Sequence, residues 1–254
     1  MSKPKVGIFG LTGCAGDQLV ILNCEDQLLD LAAALSIRDF LMASSTNDEE
    51  CDLELALVEG VVVSRRDEEL LRRIRARSGL LAAIGTCAVW GGVAAMNGNG
   101  NRPRTLQDIH GSPGSLNDSR PVRALHEVVK VDVNIAGCPI EKEQILGAVA
   151  DLLNGNPPLF PAYPVCAECR MRENNCLLID RGAVCCGPLT VAGCNARCPE
   201  LNVPCVGCRG PADDANVASA LAMFEEKGLD RAAVAEKLRA FSGAGAFASL
   251  EGRL

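Results

Sequence analysis

Lys5-Val-Gly-Ile-Phe-Gly-Leu-Thr-Gly-Cys-Ala-Gly-Asp17 is a short apolar run ending in a glycine-rich turn that carries one thiol and one carboxylate. Lys5–Leu11 reads as a buried strand, with the turn leading into a helix. The turn lacks the Lys-Ser/Thr of a phosphate loop and the spacing of a dinucleotide fingerprint, so neither nucleotide reading holds. Downstream, strand and helix patterns alternate. Gln18–Leu35 has apolar residues at helical spacing, Ile37–Met42 reads as a strand, and Leu53–Val63 as another that ends or bends near Gly60. Asp67–Arg77 is a charged helix with acids early and arginines late, as the helix dipole favours. Leu80–Cys87 and Val131–Ala136 read as strands four and five, and Glu141–Leu153 as a further helix. This alternation predicts an α/β fold, an open parallel sheet covered on both faces, with the flavodoxin-like strand order as the simplest fit.

The whole chain has 254 residues, 48% apolar and 22% charged, which is a globular composition and excludes intrinsic disorder. A net charge of -7 and only 3% aromatic residues argue against nucleic acid as a partner. His110 and His126 are the two histidines, too few for histidine-based catalysis or metal binding. The first residues lack a secretory pattern and a twin arginine. Gly79–Met96 is uncharged over 18 residues, the length of a membrane span, but its four glycines, Thr86, Cys87 and many alanines read as a buried strand followed by a turn. No membrane span and a cytoplasmic location are therefore expected. In a reducing compartment, 14 cysteines imply metal rather than disulfides.

The cysteines divide at Asn154–Pro164, which holds four prolines and a glycine and reads as a stiff connector. Before it, Cys14, Cys87 and Cys138 each lie where a strand runs into a Gly-containing turn. Those turns share the edge of the sheet where open α/β folds bind ligands. A cubane [4Fe-4S] cluster takes four ligands, usually thiolates. The natural fourth position holds Asp17, which is anionic and can bind iron; the competing reading makes it the cap of the next helix. Cys24 is a rival fourth ligand whose distance from the turn favours core packing, and Cys51 reads as structural.

After the connector, nine cysteines fall within 166–208. Cys166-x2-Cys169-x6-Cys176 is followed by the adjacent pair Cys185 and Cys186, of which one is spare. Cys194-x3-Cys198-x6-Cys205-x2-Cys208 completes a second quartet of roughly mirrored spacing. Eight thiolates suit two [4Fe-4S] clusters. A zinc site pairing Cys166 and Cys169 with Cys205 and Cys208 would leave the other four unexplained. Spacing does not tell which cysteines share a cluster. Asn97–Pro121 reads as a long loop, and Asp213–Leu238 as two helices broken at Gly228.

Thr12-Gly-Cys-Ala-Gly-Asp17, Leu55-Ala-Leu-Val-Glu-Gly60, Gly85-Thr-Cys-Ala88, Gly137-Cys-Pro139, Cys166-Ala-Glu-Cys169, Cys185-Cys-Gly-Pro188, Gly193-Cys194, Arg197-Cys-Pro199 and Cys205-Val-Gly-Cys-Arg-Gly-Pro211 occur in this order. Together they resemble the small, electron-transfer subunit of cytosolic [NiFe] hydrogenases, in the methyl-viologen-reducing and F420-reducing branch related to sulfhydrogenases. The resemblance implies a flavodoxin-like domain, 1–157, holding a proximal cluster on Cys14, Asp17, Cys87 and Cys138. It implies a smaller ferredoxin-like domain, 158–212, holding medial and distal clusters on Cys166, Cys169, Cys176, Cys185, Cys194, Cys198, Cys205 and Cys208. It selects Cys185 over Cys186, and 213–254 is left as a helical tail. Many relatives have a cysteine in place of Asp17, while this branch often has Asp. The implied partners are a large subunit carrying the Ni–Fe centre and a downstream iron–sulfur or flavin subunit; the implied cofactors are three [4Fe-4S] clusters. No catalytic residue is expected in this chain. The loop 97–121 and the cluster edge are the expected large-subunit interface. Glu59 reads equally as a neighbour of the cluster or as a surface-strand acid. A cluster-bearing subunit of a complex I-like oxidoreductase is the alternative; it resembles the N-terminal part alone.

Overall fold

The computed structural model describes residues 3–96, 108 and 118–247. Five strands, β1 (Lys5–Gly10), β2 (Ser36–Asp39), β3 (Leu53–Glu59), β4 (Ser78–Ile84) and β5 (Val133–Ile135), form one parallel sheet in the order β2-β1-β3-β4-β5. This is the flavodoxin-like order expected from the sequence. The register levels the strand ends: Gly10 pairs with Glu59, Glu59 with Ile84, and Ile84 with Ile135. The turns after β1, β3, β4 and β5 therefore open at one edge.

Strand β3 is buried along nearly its whole length because both faces of the sheet are covered. Leu55, Leu57 and Ile84 pack on one face with Ile21, Ile145 and Val149; Ala56, Val58 and Leu81 pack on the other with Leu71 and Ile74. The helices supplying these contacts are α1 (Gly16–Leu22), α3 (Arg65–Ala76) and α5 (Lys142–Leu153).

Two expectations are corrected locally. The single helix expected over 18–35 is two, α1 and α2 (Glu25–Ala34). Asn23 is a weak helix former, and Cys24 is drawn fully into the core there. Strand four ends at Ile84, and Gly85 with φ 81 turns the chain directly into a helix, α4 (Gly85–Trp90). Cys87 thus lies in a helical first turn rather than at a strand end, and the apolar run 79–96 is strand, helix and 3-10 turn. The long loop expected at 97–121 lies, apart from 108 and 118–121, outside the described residues.

Beyond the connector, the described residues form short helices, α6 (Val165–Met171), α7 (Leu177–Arg181) and α8 (Arg197–Glu200), with isolated bridges at Pro164–Val191 and Thr190–Pro211. Helices α9 (Val217–Glu226) and α10 (Arg231–Ala246) flank Gly228 as the sequence reading places them. Phe224, Leu238 and Phe247 pack with Cys185, Cys186 and Cys205, so these last helices close the cysteine-rich core. Helix α10 also packs against α4. No helix among the described residues is long and apolar enough to cross a membrane.

Candidate metal centres

The first site lies at the levelled sheet edge. Cys14 sits in the turn after β1, Asp17 in the first turn of α1, Cys87 in α4, and Cys138 three residues past β5. Asp17 does not cap its helix: Ala15 holds the N-cap position, and the Asp17 Oδ1 accepts instead from Ile140 N at 2.8 Å. That bond ties α1 to the loop carrying Cys138. Gly85 makes room for the other oxygen, since a Cβ there would meet Asp17 Oδ2 at 1.8 Å. Glu59 is 2% exposed, which rules out a surface role; its Oε2 accepts from Gln18 N at 3.0 Å and Gln18 Nε2 at 3.1 Å. Cys24 lies in the core with its thiol toward the Val20 carbonyl, away from this site.

These groups feel one another. Burial, opposed by the Ile140 N–H and reinforced by Glu59, pushes Asp17 up to about 7. Burial, then the Cys14, Asp17 and Glu59 charges, pushes the Cys87 thiol up to about 11, and burial with the same group of neighbours does so for Cys138. Such thiols stay protonated until a metal offsets the clustered negative charge.

A cavity of about 60 Å³ forms the second site, lined by Cys194, Cys198, Cys205 and Cys208 together with Cys138 and Pro139. Burial pushes Cys208 up to about 12, opposed by the Cys138 N–H. Thr86 Oγ1 donates to the Cys208 carbonyl and accepts from Gly137 N at 3.2 Å, so α4, the β5 loop and the second site are bonded together. The third site is a cavity of about 50 Å³ lined by Cys166, Cys169, Cys176 and Cys185. Burial, then Cys185, Cys169 and Cys176, pushes Cys166 up to about 12. Cys186 is fully buried in the core instead.

The structure therefore groups the cysteines where spacing could not. It also separates the zinc pairing, because Cys166 and Cys169 face the third cavity while Cys205 and Cys208 face the second. Every cysteine is among the described residues and none is in a disulfide. No three or more His, Cys, Asp or Glu among those residues are set to hold one metal ion. Both cavities exceed the roughly 10–15 Å³ that one water-sized group needs. The sulfurs also have clearance that only glycine leaves: a Cβ would stand 2.7 Å from Cys87 Sγ at Gly92, 3.2 Å from Cys14 Sγ at Gly16 and 3.3 Å from Cys166 Sγ at Gly187. Soft donors around roomy, apolar-walled spaces fit iron–sulfur clusters. Sequence reasoning missed Thr86, Glu168 and Arg209, which hold these sites together; each stands directly beside a cysteine of the motifs.

A parallel sheet with convergent thiols at its carboxyl edge defines a class of cluster-holding redox subunits. Residues 14–152 match the family of the NADH ubiquinone oxidoreductase 20 Kd subunit, and the chain belongs to that family. More particularly, it is one of the hydrogenase small subunits. It is 39% identical to the sulfhydrogenase 2 subunit delta of Pyrococcus furiosus, over 94% of this chain and 99% of that protein. It is 25% identical to the iron-sulfur subunit of an F420-non-reducing hydrogenase of Archaeoglobus profundus, over 78% of this chain and 79% of that protein. Among solved structures, an NAD+-reducing [NiFe]-hydrogenase in the H2-reduced state aligns with TM-score 0.55 and 28% identity, over 63% of this chain and 96% of that chain. The family match ends before the eight paired-up cysteines, whereas the sulfhydrogenase likeness runs through them, which favours the hydrogenase branch over the complex I-like one.

Proposed function

We propose that this chain relays electrons between the Ni–Fe centre of a large subunit and a downstream iron–sulfur or flavin subunit, through three [4Fe-4S] clusters, in the cytoplasm. Cys14, Asp17, Cys87 and Cys138 hold the first, on the part up to residue 157. Cys194, Cys198, Cys205 and Cys208 hold the second, and Cys166, Cys169, Cys176 and Cys185 the third, on 158–212 with the tail 213–254 packed behind. When bound, each cluster supplies one-electron chemistry near a potential set by its ligands, burial and hydrogen bonds. This chain's residues hold and space the clusters.

The observation that carries this reading is the continuity of the three sites. Cys138 and Pro139 wall both the first and the second, while Val165 and Pro199 line both the second and the third. The test is metal and sulfide analysis of the native complex, purified without air. About twelve iron atoms with matching sulfide per chain are expected from three cubanes. Stoichiometric zinc with little iron overturns the cluster reading. A complex that holds the iron but neither takes electrons from hydrogen nor contains a chain with two C-x-x-C motifs overturns the hydrogenase role.

A further inference from the structure

Arg209 is a buried cation with no acid partner. It is 4% exposed, and no carboxylate lies within ion-pair distance of it among the described residues. Its Nε donates to the Ala192 carbonyl at 3.0 Å and its Nη2 to Gln144 Oε1 at 2.7 Å; Nη1 has no partner. The guanidinium is wedged between two turns. A Cβ on Gly137 would meet Nη1 at 3.2 Å, and one on Gly193 would meet Nη2 at 2.7 Å. Those glycines precede Cys138 and Cys194. Arg209 itself follows Cys208 and lines the second cavity.

A guanidinium is a permanent cation, and an unpaired one is costly to bury. Its position implies a counter-charge inside the cavity wall. Glu168, also buried, is the nearby acid, but its oxygens are turned to Gly193 N at 2.7 Å and Ala196 N at 3.1 Å and make no bond to the guanidinium. The thiols of Cys194 and Cys208 remain.

We propose that Arg209 is the fixed counter-charge of the Cys194/Cys198/Cys205/Cys208 site and holds its cluster at a higher reduction potential than the thiolates alone would give. This rests on the relay reading above. One-electron reduction adds a negative charge to the site. A fixed cation beside it stabilises the reduced form more than the oxidised form, and burial keeps water from screening the effect. Arg209 is thus a positioning and tuning residue that takes no proton and touches no substrate.

The test is a redox titration followed by EPR on the anaerobically purified complex, comparing wild type with Arg209→Met and Arg209→Lys. Met removes the charge while keeping an unbranched stem; Lys keeps the charge and loses the planar fork. Arg209→Met should lower the reduction equilibrium constant of the second cluster about tenfold, which is ~59 mV for one electron. Arg209→Lys should stay close to wild type. Loss of that cluster in the Met variant but not in the Lys variant also supports the proposal, since it shows that the charge is what holds the site. An unshifted potential in Arg209→Met at full iron content overturns this inference and leaves the relay reading standing. Loss of the cluster in both variants overturns it too, assigning Arg209 to hydrogen bonding alone. A wild-type chain without clusters overturns the relay reading itself.

Discussion

Replacing Asp17 with asparagine separates two roles that the carboxylate combines. Oδ1 latches the Cys138 loop through Ile140 N, at 2.8 Å. Stranding that buried N–H would cost about 1–3 kcal/mol. The same carboxylate is expensive when no metal is present, because burial raises it from 3.8 to about 7. That gap is worth about 4 kcal/mol. The folded-state value lies above the unfolded one, so folding favours the protonated acid. The cost is absent below about pH 4, grows as pH rises toward 7 and is complete above it. The liability therefore exceeds the latch. Asparagine would keep an acceptor for Ile140 without the charge, so a latch alone would not call for Asp; iron at the open oxygen would. In the metal-free chain, Asp17→Asn should raise stability in urea by up to about 4 kcal/mol at pH 8 and by almost nothing near pH 4. In the loaded complex the same change should make the first cluster labile or convert it to a three-iron form, whereas Asp17→Cys should keep it with an altered potential and EPR spectrum. A first-cluster EPR signal unaltered in Asp17→Asn, at full iron content, would refute ligation by Asp17 and leave only the latch.

Two further outcomes follow from residues that are not themselves ligands. Glu68 accepts from Arg72, Arg120 and Arg123, and the bonds from Arg72 and then Arg123 hold its carboxyl down at about 2 against an ordinary 4.5. The stability this adds is present above pH 4.5 and lost as pH falls toward 2, so Glu68→Gln should flatten the acid-denaturation curve across that window; a curve of unchanged shape contradicts it. Thr86→Val removes both bonds that join Gly137 to Cys208 and should cost about 1–3 kcal/mol in chemical denaturation, with Thr86→Ser close to wild type. A Val variant as stable as the Ser variant would show that the hydroxyl does not link the two parts.

The sheet was legible because its signals are local. Apolar runs of strand length end at glycines, and charged or apolar-striped helices stand between them, so order and pairing follow from ordinary crossover rules. The breaks that sequence missed have tertiary causes. Cys24 leaves its helix line because the core takes its side chain, and Gly85 ends β4 because only a glycine can stand over Asp17. The two quartets were visible as counts but not as groups. Their mirrored spacing permits several pairings, and the choice is made by which helix turns toward which cavity. Arg209 was in plain view within Cys208-Arg-Gly-Pro211, yet a linear sequence does not say that an arginine is buried without an acid. For the same reason Glu59 could be read as a surface residue until the covering turns were in place.

Exposure differs along the three sites. At the sheet edge Cys14 and Cys138 are exposed, and at the far end Cys176 is exposed too. Between them Cys205 is buried, and Cys208 stands behind the bonded Thr86. Each end presents an exposed cysteine, whereas Cys194, Cys198 and Cys208 of the middle site are half-buried. In the proposed relay, a docked subunit would alter the dielectric and charge around either end, so the potentials there would depend on the assembled complex. Glu141, Arg197 and Arg209 line the middle site. In the proposed relay, Arg209 is the buried charge at the middle site, and its influence on the potential there comes from this chain.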